Sequence, residues 1–286
     1  MNMLTKSALY IVATPIGNLN DISLRALDVL ANVDVVAAEH VHTSGHLLAH
    51  HSITTRRITL HQHNETVMAE KIATLLAAGK TVALISDAGT PGVSDPGAKL
   101  VDLIRQQGYP VIPIPGANAA LCALSASGIV NPQFLFYGFL PTKTGARRNI
   151  LATLKCYTCT LIFYEAPHRI LDCMADLILV FGADRKITIA RELTKLFETI
   201  HVSTLGDALA WLKTDANQQK GEFVLLLSGA AVQDKSMVSE QAQQILKRLL
   251  ADLPLKQAVQ LAADITGENR KVLYKLALSQ QESGVV

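Results

Sequence analysis

The sequence predicts an α/β protein: two α/β domains followed by a small C-terminal helical domain. Three observations carry that expectation. Short β-branched runs alternate with amphipathic stretches, the pattern of an α/β layer with parallel pairs. Small or turn-forming residues follow several of the β-branched runs. After Gly229 the β-branched runs stop and three short helical patterns take over. The domains are expected at 1–130, 131–232 and 233–286. A length of 286 residues suits that division, at about 100–200 residues per domain, and a chain of this size buries most of its apolar surface without cross-links.

In chain order, residues 8–13 read as a first buried strand. Their apolar run is short, lacks a small-residue cleavage pattern and leads into a turn, so no signal peptide is expected. Residues 22–30, 66–78 and 98–107 are amphipathic helices between strands at 33–38, 81–85 and 111–114. Residues 116–132 read as a further helix, ended by Gly128 and by Asn131-Pro132. A second series has strands at 134–137, 160–164, 186–190 and 222–227, with helical segments between. The last, EFVLLL, is apolar on both faces, as a central strand is. Helices are then expected at 238–250, 255–265 and 268–279, with Gly267 in the last turn. Helix-turn-helix packing fits them, whether for nucleic acid or as plain helix packing.

Composition excludes several classes. With 49% hydrophobic residues the chain is not disordered, and 17 Gly with 10 Pro is not fibrous. No uninterrupted apolar run reaches ~18 residues, so no membrane span is expected. Four cysteines (Cys122, Cys156, Cys159, Cys173) make no disulfide framework at this size, which points to a reducing cytoplasm. The formal charge of +2 is unevenly spread. Residues 1–141 hold 8 basic and 9 acidic side chains, and residues 156–234 hold 7 and 10. Residues 142–155 hold four basic and no acidic ones, and the tail from 235 holds 7 and 5. The 142–155 segment is either an anionic-partner footprint or a solvated helix start. An aromatic content of 5% argues against a base-stacking platform.

Three loops share one design, a buried strand followed by small residues: Ala13 to Asn18, Ser86 to Gly97, and Pro113 to Asn118. Ligands of open α/β sheets sit beyond the carboxyl ends of strands, where small residues let a ligand approach the backbone. Three such loops in one half point to a small-molecule cleft. No G-x-G-x-x-G follows the first strand, and Gly79-Lys80-Thr81 lacks the earlier phosphate-loop glycine because residue 74 is Thr. Seven of nine histidines lie between residues 40 and 63. His42, His46 and His50 share one face if helical, while His61 and His63 alternate as on a strand. No ligand set of recognised spacing accompanies them, and Cys156 and Cys159 form a lone C-x-x-C, so no metal is expected. Phe163 to Arg169 ends a strand and opens a helix, with Pro167 suited to its first turn. Glu165 there either meets a ligand or caps the helix. Arg191 to Lys195 repeats the strand-end pattern.

Seven segments occur in order: TPIGNLNDIS (14–23), SDAGTPGVSDPG (86–97), PGANAAL (115–121), GFLP (138–141), FYEAPHRI (163–170), ARELTKLFE (190–198) and GEFVLLLSG (221–229). Together, over residues 8–279, they resemble the tetrapyrrole-methylase-fold methyltransferases. More narrowly they resemble the bacterial branch that 2′-O-methylates a cytidine ribose in the decoding centre of 16S ribosomal RNA. Where the tetrapyrrole enzymes carry G-x-G-P-G-D after the first strand, this chain has Thr14-Pro15-Ile16-Gly17-Asn18.

The resemblance implies S-adenosylmethionine in a cleft between the two α/β domains, a homodimer, no membrane, and 16S rRNA, within the small ribosomal subunit, as partner. Carried over by motif, the cofactor-binding residues are Pro15, Ser86, Asp87, Ala88, Gly89, Asn118 and Ala119, with Phe163, Tyr164, Ala190 and Glu222 toward the adenosine. The weakly acidic hydroxyl calls for a base, with Asp87, Glu39 and Glu165 as unranked candidates. Lys143, Arg147, Arg148 and Lys155 are the expected phosphate contacts. The family commonly continues its second strand with Glu-Asp-Thr-Arg; here Glu39-His40-Val41-His42 stands instead, though His63-Asn64-Glu65 matches. Alternative readings are a tetrapyrrole (precorrin-type) methyltransferase and a non-catalytic ribosome-binding protein.

Overall fold

The structure, a computed structural model, describes residues 4–61, 63–231, 238 and 240–282. The chain forms two compact units, Met1–Ala230 and Ala231–Val286. The expected boundary between residues 232 and 233 lies outside the described residues.

The first unit opens with β1 (Leu9–Val12), α1 (Leu24–Asn32), β2 (Val35–Ala38), α2 (Val41–His50) and β3 (Arg57–Thr59). It continues through α3 (Glu65–Ala77), β4 (Val82–Ile85), α4 (Ala98–Gln106), β5 (Val111–Ile114) and α5 (Ala119–Ala126). The five strands are parallel, in the order β3-β2-β4-β1-β5. Residues alternate between faces along a strand. Val12, Val36 and Ile85 pack under α1 and α2, through Leu30 and Leu48. Leu9, Val35 and Leu84 pack under α3 and α4 on the other face, through Ile72 and Leu100.

That division of helices follows from handedness. Parallel crossovers are right-handed, so connections running in opposite directions along a sheet cover opposite faces. The chain leaves β1 toward β2 on one face and leaves β4 toward β5 on the other. Because β1 and β4 are neighbours, their carboxyl ends part and open a crevice. The loops at this crevice are joined by a short antiparallel bridge between Thr14 and Gly89, with N–H···O distances of 2.8 and 2.9 Å. The Thr14 hydroxyl adds a bond to the Ser86 carbonyl at 3.1 Å.

A second sheet follows: β6 (Phe134–Phe139), α6 (Thr144–Leu154), β7 (Thr160–Glu165), α7 (Ile170–Phe181), β8 (Lys186–Arg191), β9 (Thr199–Thr204), α8 (Leu205–Thr214) and β10 (Phe223–Leu227). Its order is β6-β7-β10-β8-β9, with β6 and β7 parallel and the other pairs antiparallel. β10 is the central strand and every one of its residues is buried. On one face Phe163, Ile189 and Leu225 meet α7 and α8. On the other Ile162, Ala190 and Val224 meet Ala120 and Ala123 of α5. The last helix of the first series therefore covers the second sheet and fixes the two sheets to each other.

Two strands, β3 and β9, were not among those expected. Both are edge strands. β3 has three residues with Arg57 and Thr59 exposed, and β9 reads Thr-Ile-His-Val-Ser-Thr with no fully buried position. An edge strand with little burial carries little hydrophobic periodicity.

The basic segment also departs from expectation. Arg147 was expected to contact phosphate, but its side chain is 2% exposed and its Nε donates to Asp176 of α7 at 2.7 Å. Arg148 donates to the other oxygen of Asp176 at 2.6 Å while remaining half exposed. Arg147 is thus a helix–helix tie and is removed from the phosphate-contact set. Lys143 and Lys155, flanking α6 at its two ends, are exposed.

The second unit packs α9 (Glu240–Asp252), α10 (Leu255–Thr266) and α11 (Arg270–Glu282) around Val238, Leu246, Val259 and Leu273. Gly267 ends α10 in the left-handed conformation, φ 72°, as a helix-terminating glycine does. No helix among the described residues is long and apolar enough to cross a membrane.

Removing one partner of a buried ion pair strands the other charge. Asp176→Ala is expected to lower the unfolding free energy in urea by about 3–5 kcal/mol. Arg148→Ala, at the half-exposed partner, is expected to cost under about 1 kcal/mol. Equal losses in the two variants would contradict the assignment of Arg147 as the buried partner.

Candidate active site

A cavity of about 310 Å³ lies between the two sheets at the crevice. The first sheet contributes Ile16, Ala88, Gly89, Asp95, Asn118 and Ala119; the second contributes Phe139, Tyr164, Glu165, Leu193, Glu222 and Val224. The loops reach this arrangement by close backbone approach. A Cβ on Gly116 would stand 2.8 Å from the Ala13 Cβ, so the loops after β1 and β5 touch only because residue 116 has no side chain. Asn118 accepts from Leu121 N at 3.1 Å and starts α5. The Tyr164 hydroxyl accepts from Ala120 N at 3.1 Å, tying the second sheet to the same turn.

Of the residues expected at a cofactor, Ala88, Gly89, Asn118, Ala119, Tyr164 and Glu222 line the cavity. Ser86 lies behind it, its buried hydroxyl 3.4 Å from the Ala88 and Gly89 carbonyl oxygens and within reach of Asp95, and Pro15 is also buried. Phe163 and Ala190 do not line it. Phe163 is fully buried in the core on the far face of its sheet, and Ala190 lies beneath α5. Lys195, 2.8 Å from both Glu192 and Glu222, holds the entrance to β10 in place.

Glu165 lines the cavity at the end of β7. Its Oε1 accepts from Ala166 N at 2.9 Å and lies 3.1 Å from Arg169 Nε, an ion pair without hydrogen-bond geometry. Its Oε2 is fully buried without hydrogen-bond geometry to a donor, and the buried Cys173 thiol lies against the carboxylate; burial and that charge push the thiol pKa up. With its side chain 0% exposed, the carboxylate holds the end of β7 in place rather than facing a ligand.

A second cavity, of about 760 Å³, adjoins the first. Glu39, His40, Thr59, His61, Glu65 and Lys99 line it, and Ser94 and Asp95 line both cavities. The His40 departure acquires a role here. Asp87 accepts from the His40 backbone N–H at 3.2 Å and meets His40 Nδ1 at 2.6 Å. That hydrogen bond, with the charge of Asp87, raises the imidazole pKa above its ordinary value of 6.5. Glu39, His40 and Asp87 bring ligand-type atoms within 4.8 Å of one another, but two of the three are already bonded to each other. His42 and His46 meet edge to face on α2, 4.7 Å between ring centroids.

His61 and His63 do not lie on a strand. β3 ends at Thr59, and Asn64 closes a turn by accepting from His61 N at 2.8 Å and donating its own N–H to the His61 carbonyl at 2.9 Å. A side chain that captures a backbone N–H this way competes directly with a sheet ladder.

Asp95 is a titratable group that the sequence pattern alone does not mark. Burial pushes its carboxyl pKa up to about 6, and the charges of Glu39 and Asp87 push the same way, against a hydrogen bond from Ser86. The available signal was the second half of the Ser86–Gly97 loop, whose Ser94-Asp95-Pro96-Gly97 turn repeats the pattern of its first half.

Residues 8–209 match the family model of tetrapyrrole (corrin/porphyrin) methylases, and residues 236–281 match that of the RsmI C-terminal HTH domain. A protein of Escherichia coli O157:H7, ribosomal RNA small subunit methyltransferase I, is 47% identical over 277 residues, covering 97% of this chain and 96% of its own length. The protein of the same name from Xylella fastidiosa is 48% identical over 272 residues, covering 95% and 99%. Among solved structures, a uroporphyrin-III C-methyltransferase from Thermus thermophilus, complexed with S-adenosylhomocysteine, is similar with a TM-score of 0.55 at 16% identity. The similarity spans 77% of this chain and 97% of that one and shows a shared fold.

The His40–Asp87 pair gives a direct readout. A raised native pKa means the protonated pair is complete below the ordinary histidine value and is lost as pH rises through the raised one. In an NMR titration His40 is expected to have its midpoint above 6.5, and Asp87→Asn is expected to bring it back down. Identical midpoints in the two proteins would remove Asp87 as the cause.

Proposed function

We propose, for a chain that belongs to the tetrapyrrole methylase family and to its ribosomal RNA small subunit methyltransferase I branch, that it methylates a ribose 2′-hydroxyl. The acceptor is a cytidine in the decoding centre of 16S ribosomal RNA, and the methyl donor is S-adenosylmethionine. The observation that carries the RNA reading over the tetrapyrrole one is the match of both units. The tetrapyrrole enzyme is spanned to 97% of its length by 77% of this chain. The helical unit matches a model named for the ribosomal branch, and the ribosomal relatives match over nearly the whole chain.

S-adenosylmethionine supplies a methyl group already activated on a sulfonium. The residues need only hold that group and the hydroxyl in line and remove a proton. Ala88, Gly89, Asn118 and Ala119 hold the methionine end, over a wall shaped by Ser86 and Pro15. Tyr164 and Glu222 receive the adenosine, with the end of β7 at Glu165 as wall and Phe163 and Ala190 beneath as packing. Asp87 and His40 form a fixed pair beside the cleft, and Glu39 faces the neighbouring cavity. The His40 substitution keeps a defined contact, so it does not favour a non-catalytic reading.

Lys143 and Lys155, with the outer part of Arg148, are the phosphate contacts that α6 offers. The exposed Leu196, Phe197 and Val202 near the β9 edge support a homodimer. The small ribosomal subunit in the cytoplasm is the expected place of action.

Radiolabelled S-adenosylmethionine with methylation-deficient small subunits is expected to label 16S rRNA as 2′-O-methylcytidine; absence of label from the RNA would overturn the reading. Ala119→Phe, which fills the cavity, is expected to weaken S-adenosylmethionine binding by about tenfold or more in calorimetry. An unchanged affinity would remove this cavity from the cofactor site.

A further inference from the structure

We infer that Asp95 accepts the proton of the acceptor hydroxyl, and that the second cavity, across Asp95 from the first, receives the nucleotide carrying that hydroxyl. The inference rests on the function proposed above and names the groups that perform it.

Position comes first. Asp95 and Ser94 line both cavities, so a group in the larger one reaches a group in the smaller one past these two residues. A base must touch the hydroxyl while the methyl donor lies on the hydroxyl's other side, and a residue in the shared wall meets both conditions.

Rigidity comes second. Ser94 has φ +65°, a left-handed conformation that costs energy outside glycine and collects at functional sites. Gly138 of β6 lets it in: a Cβ there would stand 2.6 Å from the Ser94 hydroxyl. Downstream, the Glu65 carboxylate accepts from Lys99 N at 3.1 Å and Leu100 N at 3.3 Å, fixing the start of α4 directly after Asp95-Pro96-Gly97. The loop is pinned on both sides of Asp95.

Availability comes third. Asp95 meets the Ser86 hydroxyl and, among the described residues, no cation, whereas the other carboxylates near the wall are engaged or set apart. Asp87 is held by His40, Glu165 by Ala166 N and Arg169, and Glu65 by α4. Glu39 lines the second cavity only.

Chemistry agrees. A pKa of about 6 leaves Asp95 ionised at neutral pH yet more basic than an ordinary aspartate. Glu39 and Asp87 raise it. His40, His61, His63 and Lys99 are the basic groups around the second cavity, and Tyr164, Glu165 and Glu222 face the first. The larger cavity offers Lys99 to a phosphate and Thr59 and His61 to base or sugar, a set suited to a nucleotide. In the step, the hydroxyl oxygen bonds the methyl carbon as the carbon–sulfur bond breaks, its electron pair leaving with sulfur. The hydroxyl proton passes to an Asp95 carboxylate oxygen and from there to water.

Asp95→Asn is expected to lower kcat on small subunits by about 10²–10⁴-fold, with S-adenosylmethionine affinity in calorimetry within about threefold of wild type. Asp95→Glu is expected to recover part of the rate. The wild-type kcat is expected to rise through about pH 6 and level off, and the asparagine variant to lack that limb. Thr59→Trp, narrowing the larger cavity, is expected to raise KM for subunits without altering cofactor affinity. Asparagine activity within about fivefold of wild type, an acid limb that persists, or cofactor affinity falling in step with the rate would each overturn the role of Asp95. An unchanged KM in Thr59→Trp would overturn the cavity assignment. Wild-type protein that labels no subunit overturns the proposed function and this inference with it, whereas an active wild type with an active Asp95→Asn overturns this inference alone.

Discussion

The opposed exits of β1 and β4 are the constraint on which the rest of this structure depends. Neighbouring parallel strands whose crossovers run in opposite directions must send their chains to opposite faces. The backbone between their ends is therefore drawn apart. Nothing about the surrounding loops produces that opening. They decorate it with glycines, a Thr14–Gly89 bridge that stops it from spreading, and a carboxylate at its edge. The second sheet then roofs the opening because α5, launched from β5, spends its apolar face on Ile162, Ala190 and Val224 rather than on its own sheet. One helix thereby decides both the closure of the cleft and the identity of its far wall.

Charge around the cleft and in the basic segment is largely paired within the protein. The basic segment at 142–155 has no acidic residue of its own, yet Asp176, on the next helix, takes up two of its four cations. Buried pairs of this kind add little net stability over well-packed apolar groups, because desolvation opposes the attraction. What the pair does is exact a geometry: α6 and α7 pack only where one carboxylate meets two guanidinium groups. The same economy holds at Lys195, shared between Glu192 and Glu222, and at His40, shared between a backbone bond and an imidazole bond to Asp87. The site is surrounded by ionic groups of which few remain available.

The parts legible in the sequence were those written in local pattern. β1, β4 and β10 are continuous apolar runs because both faces of each are covered, and Gly267 ended a helix as a glycine at that place does. The edge strands β3 and β9 were not legible, since a half-exposed strand carries little periodicity. The cleft residues Ala88, Gly89, Asn118 and Ala119 could be found because a strand end followed by small residues is itself a local signal. Arg147 was misread because its neutralising partner lies 29 residues away, across a contact that spacing does not encode. His61 and His63 alternate like strand residues, but Asn64 captures the backbone first. Asp95 stayed hidden for a related reason: its basicity comes from burial and from Glu39 and Asp87, which meet it only after folding.

The register of β6 against β7 shifts between Phe136 and Gly138, an irregularity that swings Gly138 under Ser94. A loop at the end of one sheet is thereby seated on the backbone of another. Loops of this length usually open by themselves, with local free energies far below that of the whole fold. Here the stretch around Ser94 cannot lift without unseating from β6, and β6 cannot fray without freeing the stretch. The wall between the cavities is therefore seated on the second sheet, although the chain places it in the first.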